Sequence, residues 1–361
     1  MLNITGYLMS DNLPIAQIRR GRLTELDDAR IPLYLKRTKD FEGWLTSRAI
    51  DSSRANAKRL KSALGLDMVS DAEVSLAVSA AVITDRYWFK SDESDNNYDV
   101  IRFKDNRYAD LALTGKSDSL PNTPEPTPEL TNTGSFEKCW RLINNEWWLY
   151  KAGNIHEYFS ELFICRLCEC LGLDCAHYEI DRGYIRSLDF TNSASVNLEP
   201  MSSLVDDNDD YVDCFDRLFD LSPELAKQYL VLILTDSICR NTDRHTQNFG
   251  MLRDFETGEL LSLAPNYDNN VSLIARGFPR SDRTDDSLIY FLGELLNSRG
   301  ESRELCRQLE MPEITADIID RCYDECMVEF DADAASDIDR AYIRDFILNG
   351  QKIVNRLIQT E

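Results

Sequence analysis

The 361-residue sequence predicts an α+β protein of two lobes: a β-rich N-lobe, then a helical C-lobe, with an extra α/β segment in front. Three observations carry this. Between Phe136 and Phe190, aromatic and β-branched runs alternate as strands do, broken by one helical stretch. From Ser222 onward, apolar residues recur mainly at helical spacing. Between those helices lie one polar loop, "NTDRHTQNFG", and two short strand-like runs. A β-rich piece before a helix-rich piece, with a polar loop between helices, is the layout of a nucleotide-binding enzyme with its cleft between two lobes.

Residues 1–115 form an N-terminal extension of mixed character. In it "FEGWLTSRAIDSSRANAKRLKSALGL" reads as helical through Trp44, Leu45, Ile50, Leu60 and Leu64. "SDAEVSLAVSAAVITD" continues helically, with Asp71 near its N-terminus. "RYWFK" and "YDVIRF" read as short strands. Residues 116–133 are rich in Pro, Thr and Ser without apolar periodicity, which predicts a linker or mobile loop. Residues 134–200 make the N-lobe. There "FEKCWRLI" and "EWWLYKAG" flank "NN" as a hairpin, a helix runs from about Glu157 to Leu171, and "AHYEIDRGYIRSLDF" supplies two more strands. Residues 201–361 make the C-lobe. "SPELAKQYLVLILTDSICR" opens with Ser222 as cap and Pro223 in the first turn. "FGMLRD" and "ELLSLAP" are strands joined by "FETG". "MPEITADIIDRCYDECMVEF" and "DIDRAYIRDFILNGQKIVNRLIQ" are helices.

The net charge of −23, from 63 acidic and 40 basic residues, argues against direct nucleic-acid binding by the surface, because phosphate contacts need clustered Lys and Arg. A local basic pocket for a phosphate ligand remains compatible with that charge. No run approaches the roughly 18 apolar residues of a membrane span. The start lacks the basic-then-apolar pattern of a secretory signal, so a cytoplasmic location without membrane attachment is expected. In that compartment the ten cysteines are thiols, not a disulfide framework. Cys165, Cys168, Cys170 and Cys175 crowd "CRLCECLGLDC", where Phe159, Leu162, Phe163, Leu167 and Leu171 keep helical spacing. They read as a buried helix face, whereas a zinc knuckle would add a second pair on another element. Cys322 and Cys326, one helical turn apart, read the same way. "DDNDD", Asp206 to Asp210, lacks calcium-loop spacing and reads as a solvated acidic loop.

The chemistry concentrates in "NTDRHTQNFG" and "LAPNYDNN". Asp243 precedes Asn248 by five positions, and Asp268 follows after the two-strand excursion. Phosphoryl transfer needs a carboxylate to orient the attacking hydroxyl and accept its proton. It also needs oxygen ligands for Mg²⁺, and an amide supplies one without adding negative charge beside phosphates. Asp243 suits the first task, and Asn248 with Asp268 the second. His245 lies in the same loop, as an imidazole that orients it more than one that transfers protons. A cation for the nucleotide phosphates should come from the other lobe, and Lys151 in "WWLYKAG" offers one. An acid on the next helix would fix that lysine: Glu161, with Glu157 as competitor. Gly134 and Ser135 precede a strand, where a glycine lets backbone approach phosphates.

"TDRHTQNFG" followed by "LAPNYDNN" resembles the catalytic core of the HipA-like serine/threonine kinases. That family shows Asp-x-His-x-x-Asn in its catalytic loop and an apolar-Pro-x-Tyr-Asp metal segment soon after. The "DRHxxN" form is also similar to the phosphatidylinositol kinases. The resemblance runs from about Thr131 to the C-terminal helices. It implies a protein-kinase-like fold, ATP as substrate and Mg²⁺ as cofactor, with Asp243 as catalytic base, Asn248 and Asp268 as metal ligands and Lys151 as the ATP-binding lysine. "TNTGSFEK" resembles the family's phosphate-binding loop, with Phe136 and Glu137 where the family has a small residue and Gln. Transfer to Ser or Thr of a protein is the implied reaction, with autophosphorylation at Thr131, Thr133 or Ser135. By the same analogy come toxin behaviour and an antitoxin-like partner. A lipid or small-molecule kinase, and a non-catalytic nucleotide-binding interaction module, are the alternatives.

Overall fold

The computed structural model describes residues 4–283, 286–309 and 311–360. The chain divides into two compact units. One comprises Met1–Gly153, Tyr184–Glu199 and Leu252–Leu261, and the other Asn154–Gly183, Pro200–Met251 and Ser262–Glu361.

The first unit begins with strands, in a region whose fold the composition alone does not give away. β1 (Thr5–Ser10), β2 (Leu13–Arg19), β3 (Arg22–Glu25) and β4 (Tyr87–Ser91) form an antiparallel sheet ordered β3-β2-β1-β4. Arg20 and Gly21 join β2 to β3 with φ of 51° and 75°, the doubly positive turn whose twist suits a tight hairpin. Leu8, Ile15 and Ile18 from the sheet pack with Phe41, Trp44 and Leu45 from the helix Phe41–Ser47.

The long helix expected over residues 41–66 is two, Phe41–Ser47 and Ala57–Ala63. At the end of the first, the Arg48 guanidinium grips Asp85 with two bonds of 2.8 and 2.9 Å. The helix expected from Ser70 covers only Asp71–Leu76, ending before Ser79 and Ala80, which both take positive φ. "YDVIRF", expected as a strand, starts with a short helix at Tyr98–Ile101, because the Asn97 side chain caps it through the Val100 N–H. "RYWFK" is β4, as expected.

The end of the Pro/Thr/Ser-rich stretch is packed. Glu129 is fully buried and accepts from the Asn106 and Asn132 amides and from the Trp140 N–H. Burial pushes its carboxyl up to about 7, against the pull of these donors.

β5 (Lys138–Ile143) and β6 (Glu146–Lys151) form the expected hairpin, with Asn144 and Asn145 both at positive φ. With β7 (Tyr178–Asp181) and β8 (Tyr184–Leu188) they make a sheet ordered β5-β6-β8-β7. β9 (Asn197–Pro200), β10 (Gly250–Arg253) and β11 (Leu260–Leu263) make a third, ordered β11-β10-β9.

The second unit is mainly helical. Helix Ile155–Leu171 starts with a capping box between Asn154 and Glu157 and stops at Gly172 in the left-handed conformation. Helix Pro223–Cys239 starts as read from sequence, with Ser222 accepting the Glu224 N–H and Pro223 at the first position. It packs against helices Tyr211–Leu221, Ser287–Ser298 and Arg340–Gln359. Gly350 lets the last of these approach closely, since a Cβ there would lie 2.6 Å from the Ile238 carbonyl oxygen. Among the described residues no helix is long and apolar enough to cross a membrane.

Candidate active site

The site is built in the second unit at the C-terminal end of helix Pro223–Cys239. Arg240 ends the helix with φ of 59°, and the Asn241 N–H closes back on the Asp236 carbonyl at 3.0 Å. The Asn241 side chain then accepts the Asp243 N–H at 3.2 Å, a local turn characteristic of Asn. The His245 N–H donates to the Asp243 carbonyl at 2.9 Å, and the Asn248 N–H to the His245 carbonyl at 2.8 Å. The Asn248 amide nitrogen also donates to the Asp243 carbonyl, at 2.9 Å. One turn of loop thus brings Asp243 and Asn248 together and commits the amide's nitrogen. His245 contributes backbone bonds on both sides, and its Nδ1 accepts the Gln247 N–H at 3.3 Å, which fits a loop-shaping residue.

Arg244 holds this loop to the segment carrying Asp268. Its side chain is 1% exposed and faces Asp236 with two bonds of 2.8 and 3.0 Å. The same guanidinium donates to the Asn248 carbonyl at 2.6 Å, the Tyr267 carbonyl at 2.5 Å, and the Asn266 and Asn269 side-chain oxygens at 2.8 Å each. Burial disfavours its charge, but the Asp236 carboxylate outweighs that and holds it above its ordinary value. The planar five-donor fork suits such a hub, and lysine's ammonium would not reproduce it.

Asp268 sits at φ 61°, a left-handed conformation that Asp tolerates better than most residues. Its N–H donates to the Tyr178 hydroxyl at 3.1 Å, and its carbonyl accepts from the Asn241 amide at 3.4 Å. Burial, then the Glu161 and Asp268 carboxylates, push the Tyr178 phenol well up. Glu161, fully buried in helix Ile155–Leu171, therefore shares the electrostatic surroundings of Asp268. Its competitor Glu157 is committed elsewhere, to its capping box and to the Arg276 guanidinium at 2.6 Å.

Asp243 is half-buried, and desolvation raises its carboxyl above the ordinary value. His245 pulls it back and the Asp268 charge pushes it further up. A cavity of about 480 Å³ is lined by Asp243 and His245, with Asp207 and Asp209 on the acidic side and Tyr211 and Phe291 as aromatic walls. The "DDNDD" loop is exposed, as its composition suggests, but it is also docked on the site. Asp209 accepts the Thr246 N–H and the Asp206 carbonyl accepts the Thr246 hydroxyl, both at 2.8 Å.

The remaining residues singled out by sequence lie in the first unit. Lys151 ends β6, is 6% exposed, and pairs across the sheet with Lys138 and Ile185. Gly134 takes φ of 95°, the conformation that requires glycine, and Ser135 is exposed beside it. Their loop is held by a residue the sequence did not flag. Buried Arg54 donates to the carbonyls of Asn132, Thr133 (2.7 Å) and Gly134 (2.5 Å). Thr131 is buried with its hydroxyl donated to the Ala81 carbonyl at 2.6 Å, whereas Thr133 is exposed.

No protein-family model matches the sequence, and no curated protein matches it. Solved structures do. The HipA–HipB–operator DNA complex of the Shewanella oneidensis MR-1 toxin–antitoxin system matches over 99% of this chain and 100% of that one, with a TM-score of 0.64 at 14% identity. The Helicobacter pylori proinflammatory kinase CtkA matches over 58% of this chain and 94% of that one, with a TM-score of 0.36 at 18% identity. The chain has a HipA-like fold of mixed α and β structure, as its sequence predicts.

Proposed function

We propose that the chain is a phosphotransferase that moves the γ-phosphoryl group of ATP to a Ser or Thr hydroxyl of a protein. One observation supports this above the others: buried Arg244 fixes both the loop bearing Asp243 and Asn248 and the segment bearing Asp268. Positioning and charge are most of what phosphoryl transfer asks of a protein. Asp243, made more basic by its surroundings, accepts the proton of the acceptor hydroxyl. The hydroxyl oxygen forms the new bond to phosphorus, and ADP departs with the electrons of the broken P–O bond. The cavity beside Asp243 receives the acceptor segment.

The donor set fits a hard divalent cation. Asn248 offers an amide oxygen whose nitrogen is already committed, and Asp268 a carboxylate on a clamped backbone. Bound there, Mg²⁺ would neutralise charge on the phosphates. Lys151 and the Gly134–Ser135 loop are assigned to the nucleotide phosphates, with Glu161 as the acid that positions the lysine. An antitoxin-like partner is proposed on the likeness to the HipA–HipB complex alone.

Intact-mass spectrometry of the purified chain after incubation with ATP and Mg²⁺, with a generic basic protein as acceptor, tests the reaction. Phosphate should be gained by chain or acceptor with wild type, and by neither with Asp243→Asn. Equal gain with that variant would remove Asp243 from the base role. Asp268→Ala should lose metal-dependent nucleotide binding in a calorimetric titration, and unchanged Mg·ATP affinity would remove Asp268 from the metal.

A further inference from the structure

The cysteine-rich helix, read from sequence as a buried apolar face, carries a second feature on one side. Cys165 and Cys168 are buried, as that reading requires, but Cys170 is only partly buried, and Cys175, also partly buried, lies beyond the end of the helix. Yet the Cys165 Sγ, a Glu169 carboxylate oxygen and a His177 ring nitrogen all lie within 4.8 Å of one another. Cys165 and Glu169 are one helical turn apart, and His177 comes from the segment after the helix, just before β7. A zinc knuckle would place a cysteine pair on that second element. The second element supplies an imidazole instead.

The two spacings to the Glu169 oxygen suit a metal. Ligands at tetrahedral angles, with zinc bonds to sulfur near 2.3 Å and to nitrogen or oxygen near 2.0–2.1 Å, sit about 3.5 Å apart for S···O and about 3.3 Å for N···O. Here Cys165 Sγ to Glu169 Oε1 is 3.6 Å, and His177 Nδ1 to the same oxygen is 3.3 Å. The latter is long for a nitrogen–oxygen hydrogen bond, which prefers about 2.9–3.0 Å. One ligand has the kind of orienting partner that metal ligands use. The other Glu169 oxygen accepts from Arg166 at 3.0 Å, and the other His177 nitrogen faces Glu179 at 3.8 Å. Half-exposed Glu169 and His177 leave an entry path from solvent.

We propose that Cys165, Glu169 and His177 form a binding site for a borderline-soft divalent metal of the zinc class. Binding takes Cys165 as thiolate and releases its proton to solvent. The site backs onto the segment that carries Asp268. Asn266 donates its N–H to the Asp174 carbonyl, and its own carbonyl accepts from the Ala176 N–H at 2.9 Å and the Cys175 thiol at 3.1 Å. A metal fixing His177 would brace that bridge. Metal capture here does not depend on phosphotransfer, so either can fail alone.

Cobalt(II) titration of the full chain, stripped beforehand with chelator, tests the site, because a thiolate ligand gives a near-ultraviolet charge-transfer band. Wild type should show this band saturating at one equivalent, reversed by zinc. Cys165→Ser should lose it. His177→Ala, a change at a half-exposed position that leaves the fold intact, should weaken binding more than about tenfold. Cys306→Ser, at a buried cysteine of the helix Gly300–Gln308, should change nothing. No thiolate band in wild type, or full-strength binding retained in His177→Ala, overturns the proposal.

Discussion

Arg253 in the first unit and Arg244 in the second are both buried guanidiniums, each 1% exposed at the side chain and each paired with one carboxylate. They tie together different things. Arg253 meets Glu199 at 2.7 Å and gives its other donors mainly to backbone carbonyls, those of Ile31, Ala29 and Gly258. Glu199 in turn accepts the Leu33 N–H and the Tyr87 hydroxyl. Gly258 is needed there because a Cβ would fall 2.1 Å from the Ala29 carbonyl oxygen. This hub fastens chain segments distant in sequence and touches none of the candidate site residues. Arg244 spends its donors on loops beside Asn248 and Asp268. One kind of buried ion pair serves architecture in one unit and preorganisation in the other.

The sharpest way to separate the two is to remove each guanidinium. Arg253→Met and Arg244→Met should each cost about 3–5 kcal/mol in denaturant unfolding, because the partner carboxylate is left buried and uncompensated. Their activities should then part. Under conditions where both variants are folded, Arg253→Met should keep phosphotransfer near wild type. Arg244→Met should lose about a hundredfold or more, since the loop no longer presents Asp243 in register. Equal activity in the two variants would erase the distinction.

Much of the second unit was legible because its elements announce themselves locally. Ser222-Pro223 is a helix start on chemistry alone, and "NN" between aromatic strands in the first unit is a hairpin for the same reason. The failures differ in kind. The helix over 41–47 ends at Arg48, whose side chain pairs with Asp85 far along the chain, whereas the helix at Tyr98 starts from a single local Asn cap inside a strand-like run. Within the site, Asp243, Asn248 and Asp268 stood out because their residue types suit a named chemistry. Arg244, Asp236, Tyr178 and Arg54 act through geometry, and an arginine that will be buried looks in sequence like one that will be solvated. The one available signal was the run of asparagines in "NTDRHTQN" and "PNYDNN", more amide side chains than two surface turns need.

Asp243 sharpens the comparison from the site's side. Its carboxyl is raised, chiefly by desolvation, so its charge is a cost to the fold. That cost is full above the raised folded value. It fades as pH falls through that value toward the ordinary Asp value of about 3.9, and it is gone below both. Asp243→Asn should therefore melt higher than wild type near neutral pH, and the two should converge in acid. The same substitution should cost about 10²–10⁴ in rate, and the acidic limb of the wild-type rate profile should lie above the ordinary carboxylate value. A variant that melts lower at every pH would mean that Asp243 serves the fold, as Glu199 does.

The smallest effect tests how the left-handed backbone at Asp268 is kept. Tyr178→Phe removes the hydroxyl that accepts the Asp268 N–H and leaves the ring in place. Losing one such bond is worth about 1 kcal/mol. If the bond serves mainly to aim Asp268, that energy should appear as about fivefold weaker Mg·ATP binding in calorimetry, with the melting temperature little changed. If it serves mainly the fold, as the Arg253 bonds do, the melting temperature should fall while Mg·ATP affinity holds. Asn241, which donates to the Asp268 carbonyl from the other side, would then be enough to hold the aspartate in place.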